Sequence, residues 1–568
     1  MLHEKRVLEK RFCVRLLAAA DAARATVSNK TFIGAHFGWL CAIVFFILGT
    51  VFVNRTGIEE DEAIFASPLY RDWCFFAIPL THGRIPIMHM SYVGALKTWL
   101  YTPIALFWQP SAAMLRIPAL LVGALTIALF YQLLDSVHGR RAAFVGTILL
   151  TTDAVFLLTT VFDWGPVAIQ HFLFTVILLA AVRWWQTDRD LWLFACAFCC
   201  GLAFWDKAVF VWCFAGLVAG SLLFIRAIVP RCSWKRVAIV IVGIGLGASP
   251  LIYYNLSTDP KFLTFRSNAR LSTQLIGARF QILRATWNGS ALFGYMVHNA
   301  SDRPNPPIGA LDRASFALQS TAGDRQRGCF EVALVAGLLL LPFVWRTRAR
   351  SAMLFTLIAF SVAWLTMILL DGGYSSHHSI LLWPLPEMFV AISVAAISEW
   401  HRWADRVVAA AVSVLVLANL LVLNQYLFQF IRNGAAGSWT DAIYPLAATL
   451  REMHPSQIAL VDWGFQDPLS FLNKETPSER VIADPFMPPG ESESQRKADL
   501  EILMDPNAVW VEHTPGNEFS KGINERLLQT AKKSGVEEVA LGLVCDRNGR
   551  PIFQLFRFTP DRQHEQVR

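Results

Sequence analysis

Charged residues are scarce in this sequence. Only 16% of the 568 residues are charged and 54% are hydrophobic, whereas a soluble protein has about 25% charged residues. This composition excludes an ordinary soluble protein and predicts a membrane protein. The charge is also divided unevenly, because the first 430 residues carry 35 Lys and Arg against 23 Asp and Glu, and residues 431–568 carry 15 against 20. No uniformly basic face is available, so we expect no nucleic-acid partner.

The sequence also lacks a disulfide framework and a cleavable signal peptide. Of the ten cysteines, Cys196, Cys199 and Cys200 lie inside an apolar run, and we interpret them as buried thiols of one helix face rather than as metal ligands. The first apolar run begins near Phe32, after a basic segment, and extends to Val53, which is long enough for a signal-anchor helix. Residues 1–31 are therefore predicted to be a cytoplasmic segment.

Apolar runs dominate residues 32–430. Most are about 17–25 residues long and are bounded by charges, as membrane-spanning helices are. The sequence thus predicts a polytopic α-helical membrane protein with about eleven transmembrane helices. The predicted spans are 32–53, 111–134, 142–158, 166–185, 191–205, 208–225, 237–256, 329–345, 352–370, 379–399 and 407–430.

The connectors between these spans alternate in charge. Five of them, on one side, carry twelve basic residues, whereas the short connectors on the other side, around Asp163, Asp206 and Asp371, have only Lys207. Because basic connectors stay in the cytoplasm, we expect the N-terminus inside and residues 431–568 outside.

Two outer connectors are long, at residues 54–110 and 257–328. In the first, the segment SYVGALKTWLYTPIALFW, residues 91–108, is largely apolar but contains a lysine, which favours a helix lying at the membrane interface. The second begins with basic residues whose uneven spacing favours general attraction to anionic lipid headgroups. These residues are Lys261, Arg266, Arg270, Arg279 and Arg284.

Residues 431–568 have a different character. Strand-like runs, QIALVDWG, NAVWVEHT, VEEVALGLVCD and PIFQLFRFT, alternate there with polar helical stretches, which predicts a small α/β domain on the outer surface. This segment contains no Gly-rich phosphate loop and no nucleophile elbow. We therefore expect it to support the fold or to contact an acceptor rather than to catalyse a reaction.

Ionisable residues gather at the outer ends of the predicted spans. At membrane depth such residues are costly and indicate a functional site. A solvated acidic turn, a helix cap and a snorkelling lysine are the structural alternatives. The residues are Glu59, Glu60, Asp61 and Glu62 after the first span, Asp163 between the third and fourth, and Asp206 with Lys207 between the fifth and sixth.

Five segments follow one another in an order that is typical of a known superfamily. They are EEDEAIFA, GALKTWLYTP, LRIPALLVGALTIALFYQLL, VFDWGPVAIQHF and GLAFWDKAVF. In this order they resemble the GT-C superfamily of integral-membrane glycosyltransferases. Within it, the resemblance is to the bacterial group related to protein O-mannosyltransferases and the lipid A aminoarabinose transferase. The resemblance covers residues 32–256 well. In the later spans, only the general pattern of apolar runs and connectors is similar.

The chain departs from the family pattern at two places. The family has Lys-Pro-Pro-Leu where this chain has KTWL, beginning at Lys97, so the lysine lacks its rigid Pro-Pro support. The family also has an Arg-Tyr-Leu-Leu-Pro-like run where this chain has GGYSSHHSILLWP. If His377 or His378 replaces that cation, the site gains a group that titrates near neutrality. Interfacial histidines bonded to headgroups are an equal alternative.

The resemblance implies the chemistry and the roles of the acidic residues. A sugar on a polyprenyl phosphate would be transferred to a hydroxyl or amine of a lipid, glycan or protein acceptor, on the outer face of the bacterial inner membrane. Asp61 is implied to be the catalytic base, with Glu60 as the alternative. Glu62 and Asp163 are implied to position the acceptor or a metal.

The cationic residues are implied to face the donor phosphate. These are Lys97 and Lys207, joined by His377 and His378. No cofactor is certain, but if a divalent metal takes part, Asp61 and Asp163 are its expected ligands. The membrane lipids themselves are the remaining partners.

Two other functions stay open at the level of the sequence. A transporter or flippase of lipid-linked sugars would have charged residues at broken helices near the membrane midplane. An oligosaccharide ligase or oligosaccharyltransferase of the same superfamily would share the fold and differ in its donor.

Overall fold

The structure is a computed structural model that describes residues 32–70, 74–268, 276–370, 375–398, 402–474, 479–482, 497 and 500–560. The predicted cytoplasmic segment 1–31 and Arg270 lie outside the described residues. The described chain folds into a largely helical bundle, followed by a small C-terminal domain built on a sheet. This architecture confirms the predicted fold class.

Helices form at every predicted span, as either one helix or two consecutive helices. Their apolar side chains supply the main hydrophobic core of the molecule. In chain order they are Phe32–Thr50, Ala112–Val137, Arg140–Thr152 with Ala154–Phe162, Val167–Thr187, Asp190–Asp206, Ala208–Arg231, Trp234–Gly247 with Ser249–Ser257, Phe330–Val344, Ala349–Leu369, Ser376–Leu382 with Leu385–Ser398, and Arg402–Asn433.

The other helices are short and lie in the two long connectors and in the C-terminal domain. They are Glu60–Ala63, Ser67–Leu69, Leu96–Ala105, Leu263–Asn268, Ile276–Trp287, Ala310–Ala322, Gly437–Trp439, Ile443–Met453, Gln466–Leu472 and Ile523–Lys533.

By length and composition, five described helices can cross a membrane, and the number rises to eight if each of three bent pairs is one span. The chain is therefore a multi-pass membrane protein, and the count of eleven spans stays a prediction. Two of the breaks coincide with Pro250 and Pro384, which cannot continue a helix. The third, with a bend of 58°, lies at Asp153, whose Oδ1 accepts the amide of Phe156 at 2.7 Å.

The first outer connector forms a small antiparallel sheet followed by a helix. Its strands are β1 (Phe76–Pro79), β2 (Arg84–Met90) and β3 (Val93–Gly94), in that order across the sheet. The helix Leu96–Ala105 follows, and the exposed side chains at its end, Leu106 and Phe107, form an apolar face. A helix is present in the predicted segment, its interfacial position stays a prediction, and Lys97 is buried inside the molecule.

The C-terminal domain contains a five-stranded sheet in the order β5-β4-β6-β8-β7. Its strands β5, β4 and β6 are parallel, and β8 and β7 complete the sheet in antiparallel fashion. Four of them occupy the predicted strand-like runs, and β5 adds a strand that we did not predict. The strands are β4 (Ile458–Val461), β5 (Glu479–Ile482), β6 (Val509–His513), β7 (Val536–Cys545) and β8 (Pro551–Pro560).

The two faces of this sheet bury different side chains because successive residues of a strand point to opposite faces. Ile458 and Leu460 pack with the helix Ile443–Met453. Ala459 and Val461 pack on the other face with the helix Ile523–Lys533. The sheet is thus covered by a helix on both sides, as expected of a parallel arrangement.

The turn between β7 and β8 attaches the domain to one end of the bundle. Arg547 donates hydrogen bonds to the carbonyls of Phe430 at 3.0 Å and Arg55 at 2.6 Å. Asn548 donates to the carbonyls of Arg432 and Arg303. These bonds fix the domain over the end of the bundle where the first outer connector lies.

The arginines of the second outer connector have different surroundings. Arg279 is buried and donates to the carbonyls of Ile368 and Leu370, at the end of the helix Ala349–Leu369. Arg284 pairs with Glu331 at 3.0 Å, and Arg266 is exposed. Of these three, Arg266 and Arg284 have the exposure that attraction to headgroups requires, and the buried Arg279 does not.

Candidate functional site

The acidic residues after the first span form one short capped helix, Glu60–Ala63. Glu59 caps it, because its carboxylate accepts the amide of Glu62 at 3.1 Å, and the Glu62 carboxylate reaches back to the amide of Glu59. Such a reciprocal capping box stabilises a helix start. Asp61 is half-buried, whereas Glu59, Glu60 and Glu62 are buried. The carboxylate of Asp61 is therefore the most accessible of the four.

Arg116, from the start of the second span, anchors this acidic helix. Its guanidinium forms two bonds to Glu62, at 2.6 and 2.8 Å, and both side chains are fully buried. It also donates to the backbone carbonyls of Val53 and Gly57. Because a bidentate pair fixes both distance and orientation, Arg116 holds the acidic helix against the end of the first span. Both carboxyl oxygens of Glu62 are occupied by these bonds.

Lys97 and Asp163 meet in a second buried ion pair. The Lys97 Nζ lies 2.7 Å from Asp163 Oδ2 and also donates to the Asp163 carbonyl at 3.2 Å. The side chains are 1% and 3% exposed, and the amine lies 4.7 Å from the ring centroid of Phe65. Lys97 therefore faces the interior of the site, in spite of the lost Pro-Pro support.

The turn after Asp163 brings in the second lysine. The backbone of Asp163 is in the left-handed region (φ 40°), and its Oδ1 accepts the amide of Ala168 at 2.8 Å. Asp163 therefore caps the next helix, which was one of the structural alternatives given by the sequence. Gly165 has φ 80° and its carbonyl accepts the Lys207 amine at 2.9 Å. A β-carbon at Gly165 would lie 2.8 Å from that amine. The turn therefore requires glycine for the close approach of Lys207.

Backbone pairing with the first outer connector explains why Lys207 is held here. Val93 of β3 pairs with Lys207, and the amide of Ala208 donates to the carbonyl of Tyr92 at 2.8 Å. Next to this pairing, a β-carbon on Gly94 would come within 2.0 Å of the carbonyl of Trp205. The connector thus lies directly on the end of the helix Asp190–Asp206, and Lys207 points inward.

Asp61 lies within the electrostatic field of Lys207. Burial raises the pKa of the Asp61 carboxyl above its ordinary value, and the Lys207 amine partly opposes that rise. Burial also raises the pKa of Glu59 and Glu60 well above the usual range, with Asp61 adding to the effect on Glu59 and Asp467 to the effect on Glu60. Of the acidic group, Asp61 is the carboxyl that both has a cation opposing it and remains accessible.

The two histidines of GGYSSHHSILLWP lie beside the Gly165 turn. His377 Nδ1 accepts the indole N–H of Trp164 at 2.8 Å, so the proton of a neutral ring must lie on Nε2. That Nε2 lies 3.9 Å from the position of a Gly165 β-carbon. His378 packs against His377, with ring centroids 4.1 Å apart, and against Trp212 at 5.5 Å. His377 is therefore the histidine next to Lys207.

Three aromatic residues and the glutamine that pairs with Asp206 were not singled out from the sequence. Trp164 and Tyr295 pack edge-on against Trp439, at 5.1 and 5.2 Å. Glu59 and Asp61 add to partial burial in raising the pKa of Tyr295 to about 12, which places it near the acidic helix. Asp206 is buried and accepts from Gln170 at 2.8 Å. The presence of a glutamine in an apolar span was the sequence signal for this partner of Asp206.

A divalent metal between Asp61 and Asp163 does not fit the residues present. Both oxygens of Asp163 are engaged, one by Lys97 and one by the amide of Ala168, and Lys207 already opposes the charge of Asp61. Among the described residues, no group of three or more His, Cys, Asp and Glu side chains could hold a metal ion. The Lys97 amine occupies the position that a cation would take beside Asp163.

The C-terminal domain contacts the acidic helix directly. The amide of Asp467 donates to Glu60 Oε2 at 3.1 Å, and Asp467 Oδ1 accepts the hydroxyl of Ser67 at 2.5 Å. Gly57 donates its amide to the carbonyl of Trp439 at 2.8 Å. The site is therefore bounded by the bundle on one side and by residues that begin the C-terminal domain on the other.

Comparisons with known proteins establish the fold of this chain. It superimposes on ArnT from Cupriavidus metallidurans bound to undecaprenyl phosphate with a TM-score of 0.53 and 12% identity, over 92% of this chain and 98% of that one. The apo state of the same protein gives a TM-score of 0.51 and 12% identity, over 90% and 96%. The Archaeoglobus fulgidus oligosaccharyltransferase tethered with an acceptor peptide gives 0.46 and 14%, over 85% and 70%.

No family model and no curated protein sequence matches the chain. At 12% identity the likeness to ArnT concerns the fold, and it extends over nearly the full length of both chains. The resemblance read from the sequence is confirmed at that level, since ArnT is a member of the GT-C superfamily. The chain has the fold of ArnT.

Proposed function

We propose that this protein is a membrane glycosyltransferase that moves a sugar from a polyprenyl-phosphate donor to an acceptor on the extracytoplasmic face. One observation carries the proposal. Asp61, Lys97, Asp163 and Lys207 come from three separate connectors, yet they interact at one end of the bundle, where three of them are buried and Asp61 is half-buried. Burying such groups together is costly, and a reaction that develops charge at this place explains why they are kept.

Asp61 is the base in the proposed reaction. It removes the proton from the acceptor hydroxyl or amine, whose oxygen or nitrogen then attacks the anomeric carbon of the donor sugar. The bond between that carbon and the phosphate oxygen breaks, and its electron pair stays on the phosphate. A base is effective when its pKa lies near the working pH, and burial moves the pKa of Asp61 upward in that direction.

Lys97, Lys207 and His377 are assigned to the departing phosphate. Negative charge grows on that group only as the sugar leaves, so preorganised donors there lower the barrier more than they tighten ground-state binding. The amine of Lys207 and Nε2 of His377 both lie at the Gly165 turn. Lys97 lies on the other side of Asp163, which orients its amine.

Glu62 and Asp163 act through their neighbours in this proposal. Glu62 gives both carboxyl oxygens to Arg116, and this pair sets the position of the helix that carries Asp61. Asp163 holds the Lys97 amine and caps the following helix. His378, which packs behind His377, supports that ring in the same way.

The likeness to ArnT supports the donor class. That structure contains undecaprenyl phosphate, a polyprenyl phosphate, and this chain shares its fold over 92% of its length. Mass spectrometry of lipids that co-purify with the protein tests the assignment. We expect a polyprenyl phosphate bearing one sugar. A lipid fraction with none, from a preparation whose phospholipids are detected, would contradict the donor.

The proposal requires the site to face the periplasm. The connectors with twelve basic residues lie at the opposite ends of the spans, and basic connectors stay in the cytoplasm. Reporters that are active on only one side of the membrane, fused after Arg568, test this orientation. We expect activity from the periplasmic reporter. Activity of the cytoplasmic reporter alone would place the site on the wrong side for this reaction.

Transport of a lipid-linked sugar is the second candidate, and one observation favours it. Asp153 and Glu387 are buried within bent helix pairs and interact electrostatically. Acidic residues at helix breaks are typical of transporters. Reconstituted protein separates the two functions: a transporter moves labelled lipid between leaflets without an acceptor, whereas the proposed enzyme releases polyprenyl phosphate only when an acceptor is present.

A further inference from the structure

An open cavity of about 330 Å³ lies between the C-terminal domain and the bundle. Ligand pockets have volumes of about 300–1,000 Å³, so this cavity is large enough for a small chemical group. The bundle contributes Asn54, which follows the first helix, and Ser111, which precedes the helix of the second span. The C-terminal domain contributes Tyr444, Arg451 and Leu472. A ligand held here therefore contacts both parts of the molecule.

The charge of this cavity is positive. Arg451 is the one charged residue among the described residues that line it, and no hydrogen bond or ion pair engages its guanidinium within the described part of the chain. Lys474 lies at the rim, because its Nζ donates to Gln109 Oε1 at 2.7 Å and Gln109 precedes Pro110, another lining residue. Guanidinium groups form bidentate bonds to phosphate oxygens, and basic pockets at a membrane surface bind anionic headgroups.

An exposed apolar segment leads into the cavity. Leu106, Phe107 and Trp108 are 76%, 91% and 40% exposed, and they directly precede Gln109 and Pro110. From Phe107 to Pro110 the chain spans at most about 11 Å. One leaflet contributes about 15 Å of hydrocarbon. A single lipid is therefore long enough to contact the cationic cavity with its headgroup and the apolar segment with its chains.

The level of the cavity relative to the membrane also fits a lipid. The helix Ala112–Val137, which begins next to Ser111, has 26 residues and is long and apolar enough to cross the bilayer. The hydrocarbon core accommodates about 20 residues of a helix, so the ends of this helix lie near the headgroups. A free phosphate ion has no group to place on Leu106 and Phe107, whereas a phospholipid has its phosphate at this level and apolar chains below it.

The wall of the cavity is bonded to the residue that anchors the acidic helix. Tyr444 donates its hydroxyl to the carbonyl of Thr56 at 3.1 Å, and Arg116 donates to the same carbonyl at 3.4 Å. Arg116 in turn holds Glu62. A ligand that bridges Arg451 and the end of the bundle therefore steadies the contact between the C-terminal domain and the acidic helix.

We propose that this cavity binds an anionic phospholipid from the leaflet on the side of the C-terminal domain. The phosphate lies against Arg451, with Lys474 at the rim, and the acyl chains extend along Leu106 and Phe107. The bound lipid ties the domain to the bundle and stabilises the folded protein, as a ligand of the folded state does. The site is separate from the carboxylates and lysines of the proposed reaction, so this inference does not rest on the proposed function.

Native mass spectrometry of the delipidated full-length protein in a neutral detergent tests the proposal. Phosphatidylglycerol, phosphatidylcholine and glycerol 3-phosphate are titrated separately. We expect the wild type to bind phosphatidylglycerol at least fivefold more tightly than phosphatidylcholine and at least tenfold more tightly than glycerol 3-phosphate. Arg451→Gln should remove the preference for phosphatidylglycerol, and Phe107→Ser should weaken its binding at least threefold.

Lys533→Gln is the matched control. It removes the same charge as Arg451→Gln, from an exposed position on the helix that covers the other face of the sheet, and it should change binding less than twofold. Thermal unfolding is the second measurement. Because Arg451 is exposed, its variant should unfold at the wild-type temperature without lipid. Phosphatidylglycerol should raise the unfolding temperature of the wild type and of Lys533→Gln, but not that of Arg451→Gln.

Four outcomes contradict the proposal. Equal weakening in Arg451→Gln and Lys533→Gln would overturn the site, since the attraction would then depend on overall charge. Absence of phosphatidylglycerol binding, or equal affinity of the wild type for the two lipids, would overturn it as well. Arg451-dependent binding of glycerol 3-phosphate that is as tight as that of phosphatidylglycerol would assign the cavity to a soluble phosphate instead. An unchanged affinity in Phe107→Ser would refute the placement of the acyl chains.

Discussion

The molecule contains two groups of buried carboxylates, and they differ in whether a cation pairs with them. At the outer ends of the helices, Glu62 has Arg116 and Asp163 has Lys97 as a direct partner. Inside the bundle, Glu387 is fully buried and neither of its carboxyl oxygens has a hydrogen-bond partner among the described residues. A cation beside a buried carboxylate offsets much of the cost of burying its charge. The outer group is therefore the one suited to reactions that move charge.

The largest effect is expected when Asp61, in the group at the end of the bundle, is substituted. Asp61→Asn should lower sugar transfer at least 100-fold, because a general base contributes about 10²–10⁴ in rate, and should leave donor binding unchanged. Transfer by the wild type should increase with pH through a value above the ordinary aspartate pKa, since the raised pKa keeps the base protonated at lower pH. Initial rates of donor consumption between pH 4 and 9 measure both effects.

The control for Asp61→Asn is Asp302→Asn. Asp302 is an exposed aspartate in the second outer connector, and its change should leave the rate within about twofold of wild type. An Asp61→Asn variant that keeps a tenth of the wild-type rate would show that Asp61 is not the base. Glu60 would then be the next residue to substitute.

The buried pair of Lys97 and Asp163 tests the same comparison through the free energy of unfolding. Lys97→Ala leaves the Asp163 carboxylate buried without its cation, which should cost about 3–5 kcal/mol. The double variant Lys97→Ala/Asp163→Asn removes both charges and should recover most of that stability, but not transfer. Thermal unfolding in detergent and initial rates are measured on the same samples. Recovery of transfer in the double variant would make the pair purely structural.

An exposed pair provides the control for this cycle. Arg141 lies 3.2 Å from Asp405, and their side chains are 54% and 46% exposed. Exposed pairs contribute at most about 1 kcal/mol, so Arg141→Ala should change unfolding little. A loss comparable with that of Lys97→Ala would mean that burial is not what distinguishes the two pairs.

Elements with local signals could be predicted from the sequence. Long apolar runs predicted the helices, because apolar length is what a span requires, and alternating runs predicted β4, β6, β7 and β8. The site residues Asp61, Lys97, Asp163 and Lys207 were identified by the superfamily resemblance, and their electrostatic interaction came only from the structure. The strands β1, β2 and β3 of the first long connector were not predicted.

Partners that are distant in the chain could not be predicted. Glu62 and Arg116 are separated by 54 residues, and the contact of Trp164 with Trp439 joins a turn of the bundle to the C-terminal domain. Such pairs depend on how helices pack, which apolar composition leaves undetermined. The break at Asp153 was also missed, because it lies in a run without proline and results from a single capping bond.

The inner carboxylates should respond less than the outer ones. Asp153→Asn and Glu387→Gln keep the size of each side chain and remove its ability to ionise, so transfer should stay within about threefold of wild type. Initial rates at saturating donor, compared with Asp61→Asn, are the measurement. A loss as large as that of Asp61→Asn would instead support a proton or substrate path through the bundle, as transport requires.

The smallest effect is expected in the C-terminal domain, where a buried carboxyl lies outside the membrane. Glu512 is 3% exposed on β6, and burial, with Glu538 and Glu518, raises its pKa to about 8. Because the folded pKa exceeds the unfolded one, folding binds a proton between about pH 4.5 and 8, and stability falls as pH rises through that range. Glu512→Gln removes the ionisation and should stabilise the domain at pH 8 by about 1–3 kcal/mol, with no gain at pH 4. Thermal unfolding at the two pH values is the measurement, and Glu537→Gln, at an exposed position, is the control. An equal shift of the unfolding temperature in both variants would contradict this prediction.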